Sequence, residues 1–437
     1  MVLNIKEKKI AIICFEMVPY TQDWGGSQRV FFYANYLSEH GYDVAVFASK
    51  NTNSIFNPNK KSSIKIFHFE NRFQKVGLTG LEGSKDTLKR KNKYINILRA
   101  ILKFSIKKIE ACIFNEPNTG AGINSYIWVK TNQKEIIKKI ANNKFNDIII
   151  SVPPFGLLVP KFLKKIKSHI TGSIIIDYRD PWNCWNNSKG FSYFREKKII
   201  KLADKIITTN NNHREEIIKD FNLSNSKVTV VMNGYDDLLW KKVDKAGYRK
   251  KSDKLVISYL GNISFEKNNY RDGSNFIDAL MKFQKKQELL VRFIGVRLPQ
   301  KELDRLNKKY LNVEFISNVS PEESYMHMLE SDVLLSIHTA KDDSSKFLIG
   351  GKIFDYYRSG KVILSINSNS SFEFKFIIEN NLGYCVENNQ KKITDMLDKI
   401  YIDWKNCSSF FNPKLSNNNI EKYSREKQNK NLLSLLK

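Results

Sequence analysis

Four short stretches carry residues whose types and spacing could do chemistry. The first, Trp24-Gly25-Gly26-Ser27-Gln28-Arg29, follows a strand-like run and opens a helix-like one. Glycines let a backbone approach a ligand closely, and a helix N-terminus favours anions. The same residues also read as an ordinary strand-to-helix turn with Ser27 as N-cap. The second is Asp177-Tyr178-Arg179-Asp180-Pro181-Trp182, straight after an apolar run. Carboxylates accept hydrogen bonds from sugar hydroxyls and aromatic rings pack on apolar sugar faces, so this stretch suits sugar recognition, with Arg179 and Asp180 as catalytic candidates. An Arg–Asp pair closing a loop is the plainer alternative. The third runs from Tyr259 to Asp272: a strand ends at Gly261 and Asn262, and Lys267 and Arg271 follow. Either cation could neutralise a diphosphate at a helix N-terminus, or lie in a solvated loop. In the fourth, Gly350-Gly351-Lys352-Ile353-Phe354-Asp355 starts a short helix that Gly360 stops before another strand. The amides of Gly351 and Lys352 would meet an anion there, and Asp355 lies one turn on, within reach of a ribose.

Other chemistries find no support. Gly120-Ala121-Gly122 lacks a third glycine and a preceding strand, and Gly360-Lys361 runs into Val362 with Asp355 where a P-loop needs its first glycine. The cysteines (Cys14, Cys112, Cys184, Cys385, Cys407) are odd in number and form no CxxC pair, so neither a zinc site nor a disulfide framework is expected. There is no Asp-x-Asp metal motif; no cofactor and no metal are expected.

Strand-like apolar runs must position these stretches. Ile10–Cys14, Asp43–Phe47, Ile64–Phe67, Asp147–Val152, Ser173–Asp177, Lys205–Thr209 and Val228–Met232 occupy the first half. Leu255–Leu260, Leu290–Ile294, Val313–Ile316, Asp332–Ile337 and Val362–Ile366 occupy the second. Helix-like segments such as Gln28–His40 and Arg214–Phe221 alternate with them. Continuous apolar strands alternating with helices predict parallel sheets covered on both faces. The polar, lysine-rich Trp240–Lys254 reads as the junction. This gives an α/β chain with domains at 1–240 and 241–411, a C-terminal helix at 412–437 that packs back on the first domain, and ligands at the strands' carboxyl ends in the cleft between.

The chain has 437 residues and a formal net charge of +27, so an anionic partner is expected. No apolar run reaches the length of a membrane span, and the N-terminus does not read as a signal peptide. Between Lys89 and Lys108 there are eight Lys or Arg and no acid, with Arg99, Lys103 and Lys107 on one helical stripe and Leu98, Ile101, Leu102 and Ile109 on another. That pattern fits a helix lying on anionic lipid and fits equally a helix packed on the core. A nucleic-acid reader is suggested by charge alone and lacks a module to support it.

Taken in order, GGSQRV, DYRDPW, NGYD (Asn233–Asp236), YLGNI and GGKIFDYYRSGKVIL resemble the group 1 family of GT-B glycosyltransferases of bacterial surface-polysaccharide assembly. The resemblance covers nearly the whole chain. It implies two Rossmann-like doubly wound domains facing a central cleft, and a retaining, metal-independent sugar transfer. The nucleotide-sugar donor would be held mainly by the second domain. Gly25 and Gly26 would lie near its phosphates, Asp355 would hold its ribose, and Gly261, Asn262, Lys267, Arg271, Gly351 and Lys352 would complete its site. Two departures stand out. Phe347 falls where many members carry a glutamate, and Asn262 where many carry an arginine. His338 is a weak candidate for an active-site histidine. The expected acceptor is a saccharide or a lipid-linked one. The expected location is cytoplasmic, at the inner face of the plasma membrane through peripheral anionic contact. The rival readings are a nucleotide-sugar epimerase of the same fold and a non-catalytic sugar-binding homologue.

Overall fold

The computed structural model describes residues 8–20, 24–50, 64–71, 108, 110–115, 121–184, 190–246, 253–265, 270–296, 300–310, 312–317, 319–339, 343–406 and 420–436. Lys267 and nearly all of the basic stretch from Lys89 lie outside them. The chain divides into two compact units, Met1–Val231 with Asn429–Lys437, and Met232–Gln428.

The first unit holds a seven-stranded sheet in the order β3-β2-β1-β4-β5-β6-β7. Its strands are β1 (Lys9–Ile13), β2 (Asp43–Lys50), β3 (Lys65–Glu70), β4 (Asp147–Val152), β5 (Ile174–Tyr178), β6 (Lys205–Thr208) and β7 (Val228–Val230). All pairings are parallel. Its helices are α1 (Trp24–Glu39), α2 (Ala121–Asn143), α3 (Pro160–Lys167), α4 (Phe191–Leu202) and α5 (Asn211–Phe221). Apolar runs without alternation are what two covered faces require, and β1 shows it residue by residue. Ala11 and Ile13 join a core with Trp128, Phe162 and Ile199, while Ile10 and Ile12 join another with Val30, Tyr33 and Leu432. Each fully buried Ile, Leu or Val side chain among them contributes about 1.5–3 kcal/mol.

The second unit repeats the plan with six parallel strands ordered β10-β9-β8-β11-β12-β13. They are β8 (Leu255–Leu260), β9 (Leu289–Ile294), β10 (Val313–Ile316), β11 (Val333–His338), β12 (Val362–Asn367) and β13 (Gly383–Val386). The helices are α6 (Asp237–Ala246), α7 (Ser274–Lys282), α8 (Gln300–Lys309), α9 (Pro321–Glu330), α10 (Lys352–Ser359), α11 (Phe372–Glu379), α12 (Gln390–Asn406) and α13 (Arg425–Leu435), whose last turns are counted with the first unit. In both units the strand order reverses once, between β1 and β4 and between β8 and β11. Ligands of doubly wound sheets bind at the carboxyl ends of the strands flanking such a reversal.

The division falls after Val231, earlier than the expected junction at Trp240–Lys254. The reason is Trp240: only 1% exposed, it packs with Tyr325, Phe354 and Tyr356 in the second unit's core, so α6 belongs there despite its polar flank. The C-terminal segment is divided as well. Tyr423 packs on Phe354, Tyr357 and Phe376 of the second unit, while Leu432 and Leu435 join the core of the first.

Candidate functional site

In the second unit the expected residues gather at the strand-order reversal. β8 is followed by Gly261, whose φ of +105° strains any other residue. A Cβ there would also meet Lys352 Nζ at 3.0 Å. Lys352 opens α10, donates to the Leu260 carbonyl and stands 4.2 Å from the Tyr259 ring centroid. Tyr356, one turn on, accepts from the Leu260 amide at 3.2 Å and donates to the Leu335 carbonyl at 3.3 Å, which fixes α10 against β8 and β11. Arg271 lies over the ring of its neighbour Tyr270 at 4.8 Å, with the Asn262 carbonyl 3.5 Å from Nη1. Burial, then Arg271, pushes the Lys352 ammonium down to about 7, against the pull of Glu373. Such a lysine is a desolvated cation lacking a full counter-charge.

The glycine pair before α10 divides its tasks. A Cβ on Gly350 would meet His338 Cε1 at 3.2 Å, whereas Gly351, the N-cap, has nothing nearer than Asn233 at 3.9 Å. The first amides of α10 lie beyond the reach of intrahelical acceptors. Asp355 points into the packing of α6, α9 and α10. Its Oδ1 accepts from Tyr325 Oη at 2.6 Å and Trp240 Nε1 at 3.4 Å, and burial raises the carboxyl to about 6.

One group escaped the sequence reading altogether. Glu373, 1% exposed at the start of α11, accepts from Ser336 Oγ at 2.6 Å and Ser365 Oγ at 3.1 Å, and faces His338 Nδ1 at 3.0 Å. Burial alone would raise its carboxyl, but His338 and the two hydroxyls outweigh burial and hold it lowered. With Nδ1 toward Glu373, the Cε1 edge of the His338 ring faces Gly350. No spacing rule links positions 336, 338, 365 and 373. Parallel register does, since Ser336 and His338 pair with Ser365 and Asn367.

In the first unit the structure joins two sequence signals. Arg29 of α1 donates to Asp177 of β5 through Nε at 3.0 Å and Nη2 at 2.8 Å, and Nη2 also reaches the Val231 carbonyl at 2.9 Å. Ser151 Oγ adds 2.8 Å to the same carboxylate, which is fully buried. Arg179, directly after β5, ties to the end of β4: its amide donates to the Val152 carbonyl at 2.7 Å and its guanidinium to the Pro153 carbonyl. Asp180 beside it is exposed. Two expectations change here. Tyr178 and Trp182 are fully buried, Trp182 stacking on Phe155 at 4.8 Å, so neither ring is open to a sugar. And α1 begins at Trp24, which puts Gly25, Gly26 and Ser27 inside its first turn; Ser27, 0% exposed, is not the N-cap. Among the described residues no three of His, Cys, Asp and Glu come together as metal ligands.

No protein-family model matches the chain, and neither does any curated protein. Solved structures do. Anabaena HepE in complex with UDP is similar over 98% of this chain and 99% of its own, at 12% identity and a TM-score of 0.58. A glycosyltransferase from Rickettsia africae is similar over the same shares, at 13% and 0.59. The alpha,alpha-trehalose 6-phosphate synthase from Burkholderia multivorans is similar over 98% of this chain and 96% of its own, at 10% and 0.62. With two parallel Rossmann-like sheets of seven and six strands, the chain has the GT-B fold.

Proposed function

We propose that the chain is a glycosyltransferase that moves a sugar from a nucleotide-sugar donor to a saccharide or lipid-linked acceptor, with retention and without a metal, in surface-polysaccharide assembly. The observation that carries the reading is the convergence of Lys352 and Arg271 with Gly261 and the start of α10 beside the β8–β11 reversal. Two cations on a glycine-shaped floor beside a helix start suit a diphosphate. The HepE structure, of the same fold, contains UDP. As the donor breaks, negative charge grows on the departing diphosphate, and fixed cations there lower the barrier. Tyr325 and Trp240 both donate to Asp355 Oδ1, so Oδ2 is the oxygen assigned here to a ribose hydroxyl. Arg179 and Asp180, directly after β5 in the first unit, are the candidates for the acceptor side. The partners this implies are small molecules and a lipid surface rather than nucleic acid, in the cytoplasm at the membrane's inner face.

Titration calorimetry with UDP, GDP, ADP, CDP and dTDP tests the site. One of them should bind, and Arg271→Ala should weaken it roughly tenfold or more, the worth of a charge-assisted contact. Unchanged affinity in Arg271→Ala and in its double with Lys352→Met would remove this cluster from the donor site.

A further inference from the structure

We infer that the outer face of α3 and α4 in the first unit is a docking surface for an anionic lipid bilayer, with Phe191 and Phe194 as the side chains that enter it. The two helices lie side by side. Phe162, Leu163 and Ile166 turn α3 into the core, leaving Lys161, Lys164 and Lys165 exposed. Ile199 and Ile200 do the same for α4, leaving Lys197, Lys198 and Lys201 exposed. At the N-terminal end of α4 the exposed side chains are instead Phe191, 62% exposed, and Phe194, 56% exposed, one turn apart on the same side. No other helix of the first unit presents two aromatic rings to water in this way among the described residues.

Acids are missing from this face. α3 has none, and the one acid of α4, Glu196, is 2% exposed and bonded to Asn183. Among the described residues, the neighbouring acids sit at the margins: Asp204 is paired with Lys167, exposed Asp180 follows β5, and α5, which carries Glu215, Glu216 and Asp220, meets α4 at Tyr193. The adjacent helix α2 continues the charge, exposing Lys130, Lys134 and Lys138 against Glu135 alone. A lysine-rich composition does not produce this. On α12 of the second unit, exposed Lys391, Lys392 and Lys399 alternate with exposed Asp395 and Asp398.

Two apolar rings beside a lysine face, with no acid between, is the pattern of a surface that lies on anionic lipid. A single-stranded nucleic acid would also use rings and cations, but along a groove that spaces successive bases. Here both rings leave one turn of one helix. Because α4 follows β5, its N-terminal end is at the carboxyl rim of the sheet, where Arg179 and Asp180 lie. Docking by Phe191 would bring that rim to the membrane. The proposal fits a lipid-linked acceptor and stands without it, since lipid binding is measured with no donor present.

Sedimentation of the full chain with phosphatidylcholine vesicles holding roughly one third phosphatidylglycerol tests it. The protein should pellet with these vesicles and remain in solution with pure phosphatidylcholine. Phe191→Ser with Phe194→Ser should weaken partitioning at least about tenfold. Lys161→Gln, Lys164→Gln, Lys197→Gln and Lys198→Gln together should weaken it about a hundredfold or more. Both variants should keep the wild-type melting temperature. Should either melt early, the single changes Phe191→Ser and Lys161→Gln carry the test at about a few-fold each. Wild-type protein that ignores the anionic vesicles overturns the proposal, as do variants that bind them unchanged. So does a preference for polyuridylate over vesicles at equal phosphate that the lysine variant loses.

Discussion

Replacing Lys352 by methionine keeps most of the stem over Tyr259 and removes the ammonium beneath Gly261. Losing one hydrogen bond from a charged donor to a diphosphate costs about 1.5–3 kcal/mol, roughly 10- to 150-fold in Kd. Folding should respond in the opposite sense. The unfolded chain holds this proton up to about pH 10.4, whereas burial, then Arg271, brings the folded value to about 7. Between those pH values the unfolded state binds more protons, so stability from this group rises with pH, and below about 7 the buried charge opposes folding fully. At neutral pH the methionine variant should therefore melt at the wild-type temperature or above it while binding the donor poorly. A bound diphosphate favours the ammonium, so wild-type affinity for a nucleotide sugar should fall as pH rises above about 7, by up to about one log unit per pH unit. In Lys352→Met that slope should vanish. The assays are calorimetry from pH 6.5 to 8.5 and differential scanning calorimetry. A variant that binds within about twofold of wild type, or a wild-type affinity flat across that range, refutes the role given to Lys352.

Glu373→Gln should destabilise the second unit by about 1–3 kcal/mol, because His338 and two hydroxyls lose a buried charged acceptor. Since the folded carboxyl is lowered, its stabilisation is present above the unfolded value near 4.3 and fades as pH falls below it, so the melting difference between variant and wild type should shrink in acid. Asp355→Asn should weaken nucleoside binding in calorimetry yet leave neutral-pH stability intact or improved. The wild-type carboxyl, raised to about 6, makes stability fall as pH climbs from 4 to 6, and the variant should lack that slope in pH-dependent melts. Arg29→Met leaves Asp177 as an unpaired buried charge and should cost the first unit about 3–5 kcal/mol in denaturant titrations, with Arg29→Lys recovering only part because the fork is lost. Transfer activity should survive excess EDTA; full loss that magnesium or manganese restores would show a metal requirement.

Much of the fold was legible because the strands are buried on both faces and read as unbroken apolar runs. Asp147–Val152 and Leu255–Leu260 were expected with the bounds they have. β13 was missed: four residues, Gly383–Val386, at the sheet edge and mostly half-buried, carry too little pattern. The approach of Lys352 to the end of β8 was readable where a glycine marks close contact, as at Gly261. The site was not readable where parallel register makes the contact, as between His338 and Glu373, or where an ion pair spans the sequence from Arg29 to Asp177. Aromatic flanks misled because Tyr178 and Trp182 obey the core rather than a ligand.

The most direct measurement of the central proposal is release of nucleoside diphosphate from a panel of nucleotide sugars, followed by NMR of the freed or transferred sugar. Wild-type protein should turn over the sugar derivative of whichever nucleoside diphosphate it binds, with the anomeric configuration kept, and Lys352→Met with Arg271→Ala should not. Tight donor binding with no release across the panel and across lipid-linked and saccharide acceptors, or release that the double variant leaves unchanged, would contradict the proposed transferase.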